Sequence, residues 1–165
     1  MTLWKHELKL SRISLLIWTA SIAFLIVICI FMFPEMEDQM DSVSDMFASM
    51  GSFSQAFGMD RLNFGEFMGF YGVECGNILG LGGAFFAAFT GILSLAKEEK
   101  EHTAEFLLTH PISRTSVFVT KYLSLLTQIV LLNLIVLILS VLSAQMVGEE
   151  IPWKEFMLFH LAYFI

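Results

Sequence analysis

The chain predicts an all-α fold: a polytopic transmembrane helical bundle with an N-terminal interfacial helix, three complete spans and the start of a fourth. Three observations carry that prediction. Of 165 residues, 56% are hydrophobic and only 15% charged, with a mean hydropathy of +0.73, whereas a soluble domain averages about 45–50% apolar and about 25% charged residues. The apolar residues form long continuous stretches with no period-two alternation, which selects helices over a closed barrel as the way to satisfy the backbone in lipid. The charges are sorted between these stretches rather than scattered through them. Residues 1–165 therefore read as one transmembrane domain.

Over residues 1–12, Leu3, Trp4 and Leu8 lie near one helical face while Lys5, Lys9 and Arg12 remain available to lipid phosphates, the pattern of an interfacial helix. Residues 13–33 carry no charge and end at Pro34. At ~1.5 Å per residue they cover a ~30 Å hydrocarbon core. This run exceeds the about 7–15 apolar residues of a signal peptide, so it reads as an anchor. Residues 34–77 form an external segment. Glu35, Glu37, Asp38, Asp41, Asp45, Asp60 and Glu66 make it acidic against Arg61. Within it Met36, Met40, Val43, Phe47 and Met50 recur at steps of four and three, as on an amphipathic helix packed against something apolar.

The second span is expected over 78–96, approached through Glu74 and Asn77. Gly72, Gly76 and Gly80 fall four apart, as do Gly83, Ala87 and Gly91, a spacing of small residues that lets another helix backbone approach closely. The third span is expected over 123–144 and contains Gln128 and Asn133. Residues 156–165 form an apolar run half as long as a span requires. They read as the beginning of a further span, and the sequence as the N-terminal part of a longer protein.

Lys5, Lys9, Arg12, Lys97, Lys100, Arg114 and Lys121 fall on one side of these spans, and Arg61 and Lys154 on the other. The positive-inside rule then places the N-terminus and the loop over 97–121 in the cytoplasm. The net charge of −7 is sorted by membrane side and points to no nucleic-acid partner. Cys29 and Cys75 are not paired in a Cys-x-x-Cys motif and read as small apolar fillers.

Motifs for covalent chemistry are absent from the sequence. There is no phosphate-cradling Gly-x-x-x-x-Gly-Lys-Ser/Thr, no His-Glu-x-x-His and no Gly-x-Ser-x-Gly. Glu99 and His102, three apart with Glu105 and His110 near, have the spacing of a helical metal pair. Such sites need a matching motif on a facing helix, and the sequence supplies none, so a solvated face accounts for them. An intramembrane metalloenzyme and a non-transporting anchor or sensor remain the alternative classes. Glu74 is either a transport-path residue or a carboxylate reaching water at the interface. Asn133 is either a second path residue or an interhelical hydrogen bond.

The loop over 97–121 combines several signals. Thr103 can cap a turn with Glu105 against its dipole. Phe106, Leu107 and Leu108 form an apolar ridge, Pro111 ends the turn, and Ser113 or Thr115 begins the next helix. The ridge, framed by Glu98, Glu99, Glu101 and Arg114, reads as a partner site or as a segment lying in the membrane interface.

The run EEKEHTAEFLLTHPISR, followed by Lys121, resembles the cytoplasmic signature of ABC exporter permeases of the ABC-2 class, approximately E-E-x-x-G-T-x-E-x-L-L-x-x-P-x-S-R and then K. Glu98, Glu99, Thr103, Glu105, Leu107, Leu108, Pro111, Ser113, Arg114 and Lys121 match it, and His102 replaces the common glycine. AFGMD at 56–60 and the following GEFMGFYGVE are similar to members of the class as well. The resemblance implies six spans, a second permease copy, and a separate cytosolic ATP-binding subunit. It places ATP and Mg on that partner, with no cofactor on this chain, in a bacterial cell membrane. It also implies that Phe106, Leu107 and Leu108 form a coupling helix filling a groove on the partner, oriented by Glu105 and Arg114.

Overall fold

A computed structural model of the chain describes residues 2–52, 66–100 and 113–163. They form helix α1 over Thr2–Ser49, a short helix α2 over Phe67–Phe70, a π-helical turn over Tyr71–Cys75 and helix α3 over Gly76–Lys100. Helix α4 follows over Arg114–Val147, and α5 over Trp153–Ala162. Among the described residues, three stretches are long and apolar enough to cross a membrane: Trp4–Met36, Phe67–Ser94 and Thr115–Val147. The all-α polytopic bundle is therefore present.

The core follows the helical repeat. Ile22, Ile26, Ile30 and Phe33 line one stripe of α1, and Leu132, Val136 and Ala144 lie on the facing stripe of α4. Of the elements in contact, α1 packs most extensively on α4, with α3 alongside both. Only 28%, 22% and 28% of the three apolar windows is buried, so most of each span's apolar surface is left to lipid or to other helices.

Pro34 does not stop the first helix: α1 continues through it for 48 residues in all. Proline removes one backbone hydrogen bond and crowds the carbonyl four residues back, but bundled membrane helices tolerate it because neighbouring elements hold the chain in place. Here Phe33, next to the proline, packs its ring 5.6 Å from Phe67 and 5.1 Å from Phe70. The segment over 37–49 is helical as its periodicity predicts, as the distal part of α1. Met46 in it and Met50 just beyond it are exposed.

The second helical stretch also begins earlier than residue 78. Glu74 and Asn77 lie inside it, because the exposed Glu74 side chain leaves the bundle while Tyr71, Cys75 and Leu79 turn inward. The third helix extends beyond 123–144 at both ends. Ser113 caps it, its Oγ accepting from the Ser116 N–H at 3.2 Å. Gly148, at φ +89°, closes the other end. Its N–H reaches Gln145 and that of Glu149 reaches Ala144, a Schellman pattern that needs the left-handed conformation glycine adopts freely.

Candidate functional site

Among the described residues, two buried polar clusters interrupt the apolar bundle. The first lies where α5 meets the π-helical turn and α4. Phe156 and His160 lie one helical turn apart on α5 and are both buried. The His160 ring is 4.9 Å from Phe156 and 5.4 Å from Phe159, and Tyr71 packs at 5.0 Å on Phe156. Inside this aromatic shell the polar atoms pair in sequence. The Asn133 Nδ2 donates to the His160 backbone carbonyl at 3.0 Å. That bond turns Asn133 Oδ1 towards His160 Nδ1, 2.7 Å away. Nδ1 therefore carries the proton, leaving Nε2 as an acceptor for the Tyr71 hydroxyl at 3.0 Å. The Tyr71 oxygen also lies 2.9 Å from Ser140 Oγ. A chain of hydrogen bonds thus links α4, α5 and the π-helical turn.

The glycines of α3 complete this junction differently from the expected backbone-to-backbone approach. A Cβ on Gly76 would stand 3.1 Å from the Tyr163 hydroxyl and 3.2 Å from the Phe159 ring, and one on Gly80 would stand 3.1 Å from the Tyr163 ring. The Tyr163 hydroxyl donates to the Gly76 carbonyl at 2.9 Å. Gly76 and Gly80 therefore seat aromatic side chains of the α5 segment. A Cβ on Gly72 or Gly83 would meet nothing within 4 Å.

The second cluster lies at the roots of the connection between α3 and α4. Lys121 is only 6% exposed. Its Nζ donates to the Ser94 carbonyl and lies 3.4 Å from Glu7 Oε1. One ammonium thus ties the end of α3, the start of α4 and the N-terminal part of α1. Burial is tolerable because the charge has both an opposite charge and a backbone acceptor.

The expected interhelical hydrogen bond of Asn133 is present, made to α5. Glu74 and Asn133 do not share a site: Glu74 is exposed and lines neither of two cavities in the bundle. Asn133 borders the larger, an apolar groove of about 870 Å³ between α3, α4 and the end of α5. In the coupling motif, Thr103, Glu105, Phe106, Leu107, Leu108 and Pro111 lie outside the described residues, as do His102 and His110. Glu98, Glu99 and Arg114 are helical, with side chains outside the description. Among the described residues no three of His, Cys, Asp and Glu gather to hold a metal. Tyr71, Ser140 and His160 were not singled out by the sequence reading. The available signal was His160, an ionisable side chain within an apolar run.

The family model for ABC-2 family transporter proteins matches residues 1–165. The chain belongs to that family. No curated protein and no solved structure compared with it gives a match. The chain is thus a permease component of an ABC transporter and a multi-pass membrane protein. In the permease, the aromatic junction locks α5 to the spans, and the Lys121 cluster joins the roots of the motif-bearing segment to α1.

Proposed function

We propose that the permease couples ATP hydrolysis on a separate cytosolic subunit to export of a substrate across a bacterial cell membrane. The N-terminus and the segment over 97–121 face the cytoplasm, and a second permease copy completes the pathway. ATP and Mg reside on the partner, whose groove takes the ridge of Phe106, Leu107 and Leu108, while Glu105 and Arg114 set orientation through charge-assisted hydrogen bonds. Glu98, Glu99, Thr103 and Pro111 shape the docking turn; of the two candidate path residues, Asn133 borders the apolar groove, while Glu74 stands apart from it on the exposed face.

The observation that supports this reading best is the placement of Lys121, the last residue of the motif. Its contacts join both roots of the segment to α1, so a partner pulling on the segment moves three helices together instead of bending a slack loop. Closure of the ATP-binding subunits then acts as a rigid-body input to the bundle.

The test is co-purification of the full-length permease with its ATP-binding subunit, followed by vesicle transport. Leu107→Asp is expected to abolish both association and ATP-dependent export. Survival of both removes the docking ridge from consideration. Lys121→Met is expected to keep association and weaken transport, since it leaves the ridge intact and cuts the link to α1.

A further inference from the structure

Beneath Lys121 lies a partly open cavity of about 140 Å³ lined by α1, α3 and α4. Two of its lining side chains carry buried polar atoms with no hydrogen-bond partner in the protein: Thr90 Oγ1, on a residue 6% exposed, and Gln128 Oε1, on a residue 3% exposed. The orientation of the Gln128 amide follows from its other end. Nε2 points at the Ser124 carbonyl at 3.3 Å, where an oxygen would be repelled, so Oε1 is the atom left without a donor. Other walls also present lone pairs. Ser11 and Ser94 spend their protons on the Glu7 and Gly91 carbonyls, and Glu7 adds a carboxylate beside the Lys121 ammonium.

We propose that this cavity binds neutral O–H donors: water, or the glycerol headgroup of a phospholipid. An acceptor-rich wall that also carries the Thr90 hydroxyl proton calls for a hydroxyl, which donates and accepts, because buried polar groups left unpaired are strongly disfavoured. The Lys121–Glu7 pair already balances charge, so a further cation meets the ammonium and an anion meets the carboxylate and the Gln128 oxygen. Size is adequate, since one water needs only roughly 10–15 Å³ of such space and two to four polar partners. The cavity lies apart from the aromatic junction and shares no lining residue with the larger groove.

The full chain, reconstituted in phosphatidylcholine vesicles, is treated with iodoacetamide, a small neutral reagent, and alkylation is read site by site by peptide mass spectrometry. Thr90→Cys is compared with Ile92→Cys, a position two residues away that is 67% exposed on the apolar surface. The Thr90→Cys thiol is expected to react at least about tenfold faster, because only a hydrated thiol forms the reactive thiolate. Repeating the reaction in phosphatidylglycerol vesicles separates the sources. An unchanged rate assigns water, and protection assigns the glycerol headgroup. Thr90→Val provides a second readout, expected to lower the thermal unfolding midpoint or leave it unchanged. Equal rates at the two positions in phosphatidylcholine overturn the proposal. So does a midpoint raised by Thr90→Val, since that is the response of a dry cavity relieved of an orphaned hydroxyl.

Discussion

Tyr71→Phe removes one oxygen and keeps the ring. The packing of that ring on Phe156 and Phe159, at centroid distances of 5.0 and 5.2 Å, is retained, so the loss is confined to hydrogen bonding. The hydroxyl is within bonding distance of Ser140 Oγ and of His160 Nε2. Side-chain bonds between membrane helices average about 0.6 kcal/mol, with a maximum near 1.7. Ser140 can recover its bond on its own helix, because a serine hydroxyl reaches the carbonyl four residues back. Nε2 has no such recourse: Asn133 holds Nδ1 and fixes the ring, so the variant strands a buried acceptor at a cost of about 1–3 kcal/mol. The combined expectation is a loss of about 1–2 kcal/mol. It can be read by SDS-driven unfolding of the full chain in mixed micelles, followed by the fluorescence of Trp4, Trp18 and Trp153. Combining it with His160→Leu should give a non-additive coupling of roughly 0.5–1.5 kcal/mol. A single variant within about 0.3 kcal/mol of the parent, additive with His160→Leu, would refute the hydrogen-bonded junction.

Other substitutions test neighbouring claims. Gly76→Ala and Gly83→Ala should have opposite signs in the same unfolding assay. The first drives a methyl into Tyr163 and Phe159. The second meets open space and gains up to about 1 kcal/mol of helix propensity. Ser113→Ala removes the cap on α4 and should cost about 0.5–2 kcal/mol, with amide exchange rising over residues 114–117 and unchanged near Val136. Gly148→Ala should destabilise the α4–α5 turn because its φ of +89° disfavours a side chain, visible as faster exchange at Glu149.

The spans were legible because lipid permits so few structures that continuous hydrophobicity over 13–33 and 123–144 is nearly sufficient. Their ends were less legible. Pro34 is a strong stop signal in local terms, and the aromatic packing at Phe33 that accompanies its continuation comes from residues more than thirty positions away. The glycine spacing marked a close contact that forms at Gly76 and Gly80, but not at Gly72 or Gly83. It could not say whether a backbone or an aromatic ring would fill the space, since that depends on how Tyr163 folds back. Asn133 was recognisable as a polar residue needing a partner, but Tyr71 and Ser140 looked ordinary. They acquire their roles only when α4, α5 and the turn at residue 71 converge. Lys121 stood out in the motif, and its grip on Glu7 required the third dimension.

The π-helical turn over Tyr71–Cys75 has a further effect on the whole second span. A π turn accommodates one more residue than an α turn, and each residue of an α-helix advances the face by about 100°. The turn therefore works as a phase shifter, giving the outer segment around Phe67 and Phe70 an azimuth that α3 alone would not. Deleting one residue, Val73 for example, would let the turn wind as ordinary α-helix with the segment before it keeping nearly its present azimuth, because the π turn absorbs about one residue's 100°. Tightening the turn to α winding with no residue removed would instead swing that segment by about 100°, carrying Phe67 and Phe70 away from Phe33 while the glycine seats of α3 stayed in place. For this span, the count of residues between the two segments matters as much as their identity.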